Sequence, residues 1–166
     1  MKSAIRGFHL PRYQDIPNMG LYLEQTTRYV NHFLAPLGCM EVTASMISNY
    51  VKKGLISSPV KKLYYADQIA YLFFIVIAKQ VLPMENIVAL SERQRKTYTS
   101  PVAYDYFCSE LENMLYYVFG ITDSVAQIGV TDTHEKTMLR SVIIAASQII
   151  YLDRCFAHLG SEESET

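Results

Sequence analysis

The sequence predicts an all-α protein: a compact head holding one short amphipathic helix and a small basic wing, followed by a helical rear unit that ends in a long helix. Three observations lead there. Apolar residues return at helical spacing in successive segments from Asn18 onward. Helix start and stop residues punctuate those segments, among them Thr43, Pro83, Pro101 and Gly120. No β-type run longer than a wing is visible. Half of the 166 residues are apolar and 19% are charged, enough to build a core of useful size.

Residues 1–17 read as irregular, because Pro11 and Pro17 discourage any long element. Asn18 offers a cap for a helix to about Leu34, with Tyr22, Thr26, Tyr29, Val30 and Phe33 as its buried stripe and Pro36 with Gly38 as its stop. Arg28 lies opposite the stripe. The next stretch, VTASMISNYVKKGLISSPVKKLYY over 42–65, is the centre of the reading. Thr43 caps, while Val42 and Ile47 have the spacing of a hydrophobic staple. Met46, Ile47, Tyr50 and Val51 then share one side of the helix, and Ser45, Ser48, Asn49 and Lys52 share the other. Gly54 supplies the left-handed exit, and Lys52, Lys53, Lys61 and Lys62 bracket a loop containing Pro59.

An apolar helix is expected over about 66–81, a break at Pro83, a short helix over 84–90, and then a polar, basic connection, SERQRKTYTSP, carrying Arg93, Arg95 and Lys96. Behind it, Ser100 caps and Pro101 opens a helix with Tyr104, Phe107, Leu111, Leu115 and Val118 as its apolar stripe, stopped by Gly120. Residues 121–131 read as a loop or a short extra turn. Asp132 and Glu135 have capping-box spacing before a long helix from Thr133 to about Leu159, stopped by Gly160. The domain reading is therefore a head over 1–96, a rear unit over 97–160, and an acidic disordered tail over 161–166.

Charge is divided along the chain. Residues 1–96 hold 12 Lys or Arg against 6 Asp or Glu, a balance of +6; residues 97–166 hold 3 against 10, a balance of −7. A front half that attracts phosphate and a rear half that does not fits a head that approaches nucleic acid. Ser45, Ser48 and Asn49 can read base edges from a helix in the major groove, and the four lysines with Tyr64 can meet the backbone. Tyrosines of the rear unit, Tyr104, Tyr116, Tyr117 and Tyr151, are the candidates for lining a small-molecule effector pocket.

Catalysis and metal binding find no pattern. Gly-rich phosphate loops, nucleophile elbows and H-E-x-x-H are missing, and Glu110 and Glu112, two apart on a helix, point different ways. Cys155 and His158 have C-x-x-H spacing without a second pair, and His32 with Cys39 is no better placed. Neither a cofactor nor a metal is expected. Three scattered cysteines, Cys39, Cys108 and Cys155, imply no disulfide framework. With no signal-like start, and with the most apolar run (69–78) half the length of a membrane span, a cytoplasmic location off the membrane is expected.

The segment NYVKKGLISSPVKKLYY, followed by an apolar helix and VLPMENI, resembles the DNA-binding head of MerR-type regulators. Tyr50, Lys52, Gly54, Leu55, Ile56, Tyr64, Tyr65, Met84, Glu85 and Ile87 carry the match. Ser48 and Asn49 stand where such heads usually have Arg and Tyr, Leu63 stands where an Arg usually precedes the paired tyrosines, and the wing has no Gly. The whole chain, including LPRYQDIP, also resembles an uncharacterised bacterial family, domain of unknown function 1836. The MerR resemblance implies a winged helix-turn-helix with a minimal β wing, double-stranded DNA as partner and a homodimer on a palindromic site. It also implies a rear unit that dimerises or senses a small apolar or cationic effector. A helical protein–protein adaptor, or a small-molecule-binding bundle without DNA contact, is the alternative.

Overall fold

A computed structural model describes residues 1–38, 41–129 and 132–164; Cys39 and the last two residues of the acidic tail lie outside them. The described chain is helical: α1 (Lys2–Arg6), α2 (Leu23–Leu34), α3 (Ala44–Lys52), α4 (Ala66–Ala78), α5 (Met84–Thr97), α6 (Ser100–Val118) and α7 (His134–Ser164). Among the described residues there is no strand beyond two isolated bridges, Leu21 with Tyr64 and Val60 with Leu63.

Helix α4 is the centre of packing. Ten of its residues, from Gln68 to Ala78, are buried, as its all-round apolar sequence requires. Phe73 meets the edges of Tyr29 and Phe33 on α2, and Phe74 meets Phe107 on α6 at 5.5 Å. Apolar packing therefore runs without a break from α2 through α4 into α6 and α7, across the expected boundary near residue 96.

The N-terminal segment differs from its irregular expectation. It forms α1 and a 3₁₀ turn at Tyr13–Asp15, and Ile5, Phe8, Leu10 and Ile16 are buried in the core. Arg12 pairs with Glu112 at 2.5 Å and its guanidinium also donates to the Leu10 carbonyl. The Tyr13 amide donates to Asp105 on α6 at 2.8 Å, and the Tyr13 hydroxyl donates to Asp67 on α4 at 2.6 Å. So LPRYQDIP straps α4 to α6. Burial, with donation to Asp67, pushes the Tyr13 phenol from 10.0 up to about 12. The fold favours the neutral phenol, so its contribution is whole below pH 10 and is lost as pH climbs through about 12. Tyr13→Phe is expected to flatten its share of the alkaline loss between pH 10 and 12 in urea unfolding. An unchanged pH profile would refute the strap.

Three further boundaries move. Helix α2 starts at Leu23, not after Asn18, because Gly20 (φ +84°) turns the chain so that Leu21 pairs with Tyr64, and the Gln25 side chain accepts the Tyr22 N–H. A Cβ on Gly20 would sit 3.0 Å from that of Leu63, so the close approach also demands glycine. Helix α5 continues to Thr97 through the segment expected to be a linker. Its polar half is held by Tyr71, which donates to Ser91 at 2.8 Å and lies under Arg95. Thr99 rather than Ser100 precedes α6, and Thr133 rather than Asp132 accepts from the first turn of α7.

Helix α7 has 31 residues, about 46 Å at 1.5 Å per residue, and passes through Gly160 to Ser164 instead of stopping. By length and composition alone it could cross a bilayer; α4 is too short to do so. Its residues Leu139, Val142, Ile143, Ala146 and Ile150 are buried in the protein core, mainly against α6.

Candidate nucleic-acid interface

Helix α3 is built by local rules. The Thr43 hydroxyl accepts the Met46 N–H at 3.1 Å, and Val42 and Ile47 are both buried as a staple. At the other end Gly54, at φ +74°, lets the Leu55 N–H reach back to the Tyr50 carbonyl at 2.9 Å. Leu55 and Ile56 then drop into the core. Tyr50 is buried beneath the helix and its hydroxyl accepts from Lys79, the residue that follows α4, at 2.8 Å.

One contact that sequence reasoning missed fixes where α3 begins. The Asn31 amide on α2 donates to the Val42 carbonyl at 2.7 Å, and its oxygen accepts the Val42 N–H at 2.8 Å. This two-way clamp satisfies both backbone groups ahead of the cap. Its partner is 11 residues away, beyond any local pattern.

With the apolar side anchored, the other side faces solvent. Ser45, Ser48 and Asn49 are exposed, and with Lys52 and the edge of Met46 they line one shallow depression along α3. Lys53 is exposed at the helix end. Lys61 and Lys62 form a two-residue turn between Val60 and Leu63, which exchange backbone hydrogen bonds of 3.0 and 2.9 Å. Both lysines have positive φ, 50° and 66°. That conformation is the signature of a type I′ hairpin, which normally selects Asn-Gly. Two lysines held there, exposed, are strained by the backbone and offer their charges at the tip. None of the four lysines makes an ion pair among the described residues, and residues 42–66 contain no acid.

Tyr64 requires a correction. It is only 4% exposed, and its backbone pairs both ways with Leu21, so its ring belongs to the core and does not face a phosphate. Tyr65, 37% exposed, is the outward member of the pair.

The four tyrosines expected to share a pocket do not. The Tyr116 hydroxyl donates to the Phe8 carbonyl and that of Tyr104 to the Pro11 carbonyl, holding the N-terminal segment on α6. Tyr117 is exposed, and Tyr151 lies against the edge of Phe119. Of these four only Tyr104 lines the cavity between α4, α5 and α6. Glu110 and Glu112 do diverge: Glu110 meets Arg140 and Tyr106, while Glu112 meets Arg12. Of the cysteines, Cys108 is buried, with its thiol pushed up to about 12 by that burial, and Cys155 is half-buried; both are free.

Neither the curated proteins nor the solved structures contain a match to this chain. The family described as domain of unknown function (DUF1836) matches residues 11–107, from the strap through the first two turns of α6. That span is more than half of the chain and contains α2 to α5 with the whole exposed face of α3 and the lysine turn, and the chain therefore belongs to this family.

Proposed function

We propose that this protein is a non-catalytic, cytoplasmic DNA-binding regulator with a MerR-like winged helix-turn-helix head. In this reading α2 supports, α3 enters the major groove with Ser45, Ser48 and Asn49 toward base edges, and Lys52 and Lys53 meet the flanking phosphates. The Val60–Leu63 turn is the wing, and Lys61 and Lys62 lie on the backbone beside it. The observation that carries the reading is one acid-free segment in which an amide-and-hydroxyl helix face stands beside four lysines unpaired among the described residues.

The test is a gel shift with genomic fragments at two salt concentrations. Binding that weakens steeply with salt is expected; no shift at low salt at micromolar protein would remove the proposal. The wing gives a sharper result. Lys61→Asn with Lys62→Gly relieves two left-handed lysines and is expected to raise stability by about 1 kcal/mol in urea. The same double change removes two phosphate contacts, so affinity should fall and the salt slope should shrink by about 2. If stability and affinity rise together, the lysines have no role in binding.

A second copy of this chain completes the reading, since one short helix spans too few base pairs to be selective. Ala145, Ile149, Leu152, Phe156 and Leu159 recur at alternating spacings of four and three on α7, the seam of a two-helix coiled coil. Leu152, Phe156 and Leu159 are 50%, 70% and 53% exposed. By helical geometry they lie on the side away from Ile143, Ile150 and Arg154, which donates to the Pro36 carbonyl in the body. The seam is therefore turned outward and fits an identical partner. Sedimentation should give a dimer, and Phe156→Asp a folded monomer; a monomeric wild type would end this part of the proposal.

A further inference from the structure

The structure holds a cavity of about 400 Å³ between α4, α5 and α6, closed on one side by Gly54–Ser57, the segment leaving α3. Its size falls at the lower end of ligand pockets, about 300–1,000 Å³. The wall is aromatic. Tyr71 and Phe74 are near-parallel at 6.0 Å, Phe74 meets Phe107 edge-on, and Phe107 leans on Tyr104 at 6.3 Å. Flat, unsaturated surface is therefore what the wall accepts best.

The polar groups divide into those already used and those still open. Gln68 is used: its amide donates to the Ser57 and Ser58 carbonyls, and its oxygen accepts the Tyr65 N–H. Asp67 is used, accepting the Tyr13 hydroxyl in the first turn of α4. Arg95 is open. Its guanidinium lies 5.2 Å from the centre of the Tyr71 ring and has no carboxylate within ion-pair distance among the described residues. A planar cation on an aromatic wall, without a counter-ion, is matched by a carboxylate carried on a ring.

We propose that this cavity binds a small aromatic carboxylate, its ring lying against the wall of Tyr71, Phe74 and Phe107 and its carboxylate on Arg95. The occupant would touch Leu55 to Ser57, the joint between α3 and the lysine turn, and would set how those two cationic pieces stand to each other. Only this regulatory consequence rests on the DNA-binding reading; the site itself does not.

Calorimetry on the full chain tests it with four probes: indole-3-acetate, phenylacetate, phenylacetamide and phenethylamine. Saturable binding of at least one acid below 1 mM is expected, with phenylacetamide at least tenfold weaker than phenylacetate and no binding of the amine. Arg95 is exposed on α5, so Arg95→Gln should fold normally and bring phenylacetate and phenylacetamide to equal affinity. Ala103→Phe, which fills the cavity, should abolish binding of every probe. Failure of both acids to bind the wild type overturns the site. Acid binding that survives Ala103→Phe overturns its location, and an acid preference that survives Arg95→Gln overturns the role of that arginine. These titrations contain no DNA, so a protein that binds the acids but fails the gel shift would refute the regulator and leave the cavity assignment standing.

Discussion

Replacing Lys52, Lys61 and Lys62 together with Gln is expected to reduce DNA affinity about 500-fold at 0.1 M salt. The size follows from counterion release: each phosphate contact contributes about 0.9 to the slope of log affinity against log salt. Three lost contacts lower the slope by about 2.7, and at tenfold dilution from 1 M that is about 10^2.7. All three side chains are exposed and make no ion pair among the described residues, so stability should move by less than about 0.5 kcal/mol. Gln stays polar, is only one atom shorter than Lys and adds no repulsion, which separates loss of attraction from new conflict. Asn49→Ala is the complementary change. It should leave the salt slope alone and flatten the difference between best and worst fragments. A triple variant with the wild-type slope would show that these cations meet no phosphate.

What the sequence revealed of this interface is what helical periodicity governs. Ser45, Ser48, Asn49 and Lys52 fall on one side of α3 because Ile47 and Tyr50 must be buried, and Thr43 and Gly54 mark the ends by chemistry confined to a few residues. Burial of α4 followed in the same way from its composition. The hidden parts depend on distant partners. Tyr64 faces inward because its backbone pairs with Leu21, just ahead of α2 and 43 residues away, and period-two reading could not choose between Tyr64 and Tyr65. The turn at Lys61 and Lys62 escaped notice because it lacks the Asn or Gly that normally announces it. The pocket expectation counted tyrosines as free walls, whereas Tyr104 and Tyr116 use their hydroxyls on carbonyls 93 and 108 residues away. Likewise α1 and the polar half of α5 owe their helicity to burial of Ile5 and to Tyr71 bonding Ser91, contacts made only once the chain has folded.

Arg140→Ala is expected to cost about 3 kcal/mol in urea unfolding. Its partner, Glu110 on α6, is only 1% exposed and receives a hydrogen bond of 2.8 Å from Tyr106 and the Arg140 guanidinium at 3.3 Å. Removing the arginine leaves a carboxylate out of water with one donor, and breaking a buried pair in this way costs about 3–5 kcal/mol. The lower figure applies because a third of the Arg140 side chain is open to solvent, which can reach the site. Removing both charges should be milder than removing one: Glu110→Gln with Arg140→Met keeps volume and leaves an amide that Tyr106 can still serve. The double change is therefore expected to recover at least half of the single loss. Glu110 and Arg140 join α6 to α7, and Leu139, next to Arg140, lines the cavity between α4, α5 and α6. A protein that tolerates Arg140→Ala without loss would mean that Glu110 is neutral or hydrated in place, and that the α6–α7 joint is held by its apolar contacts alone.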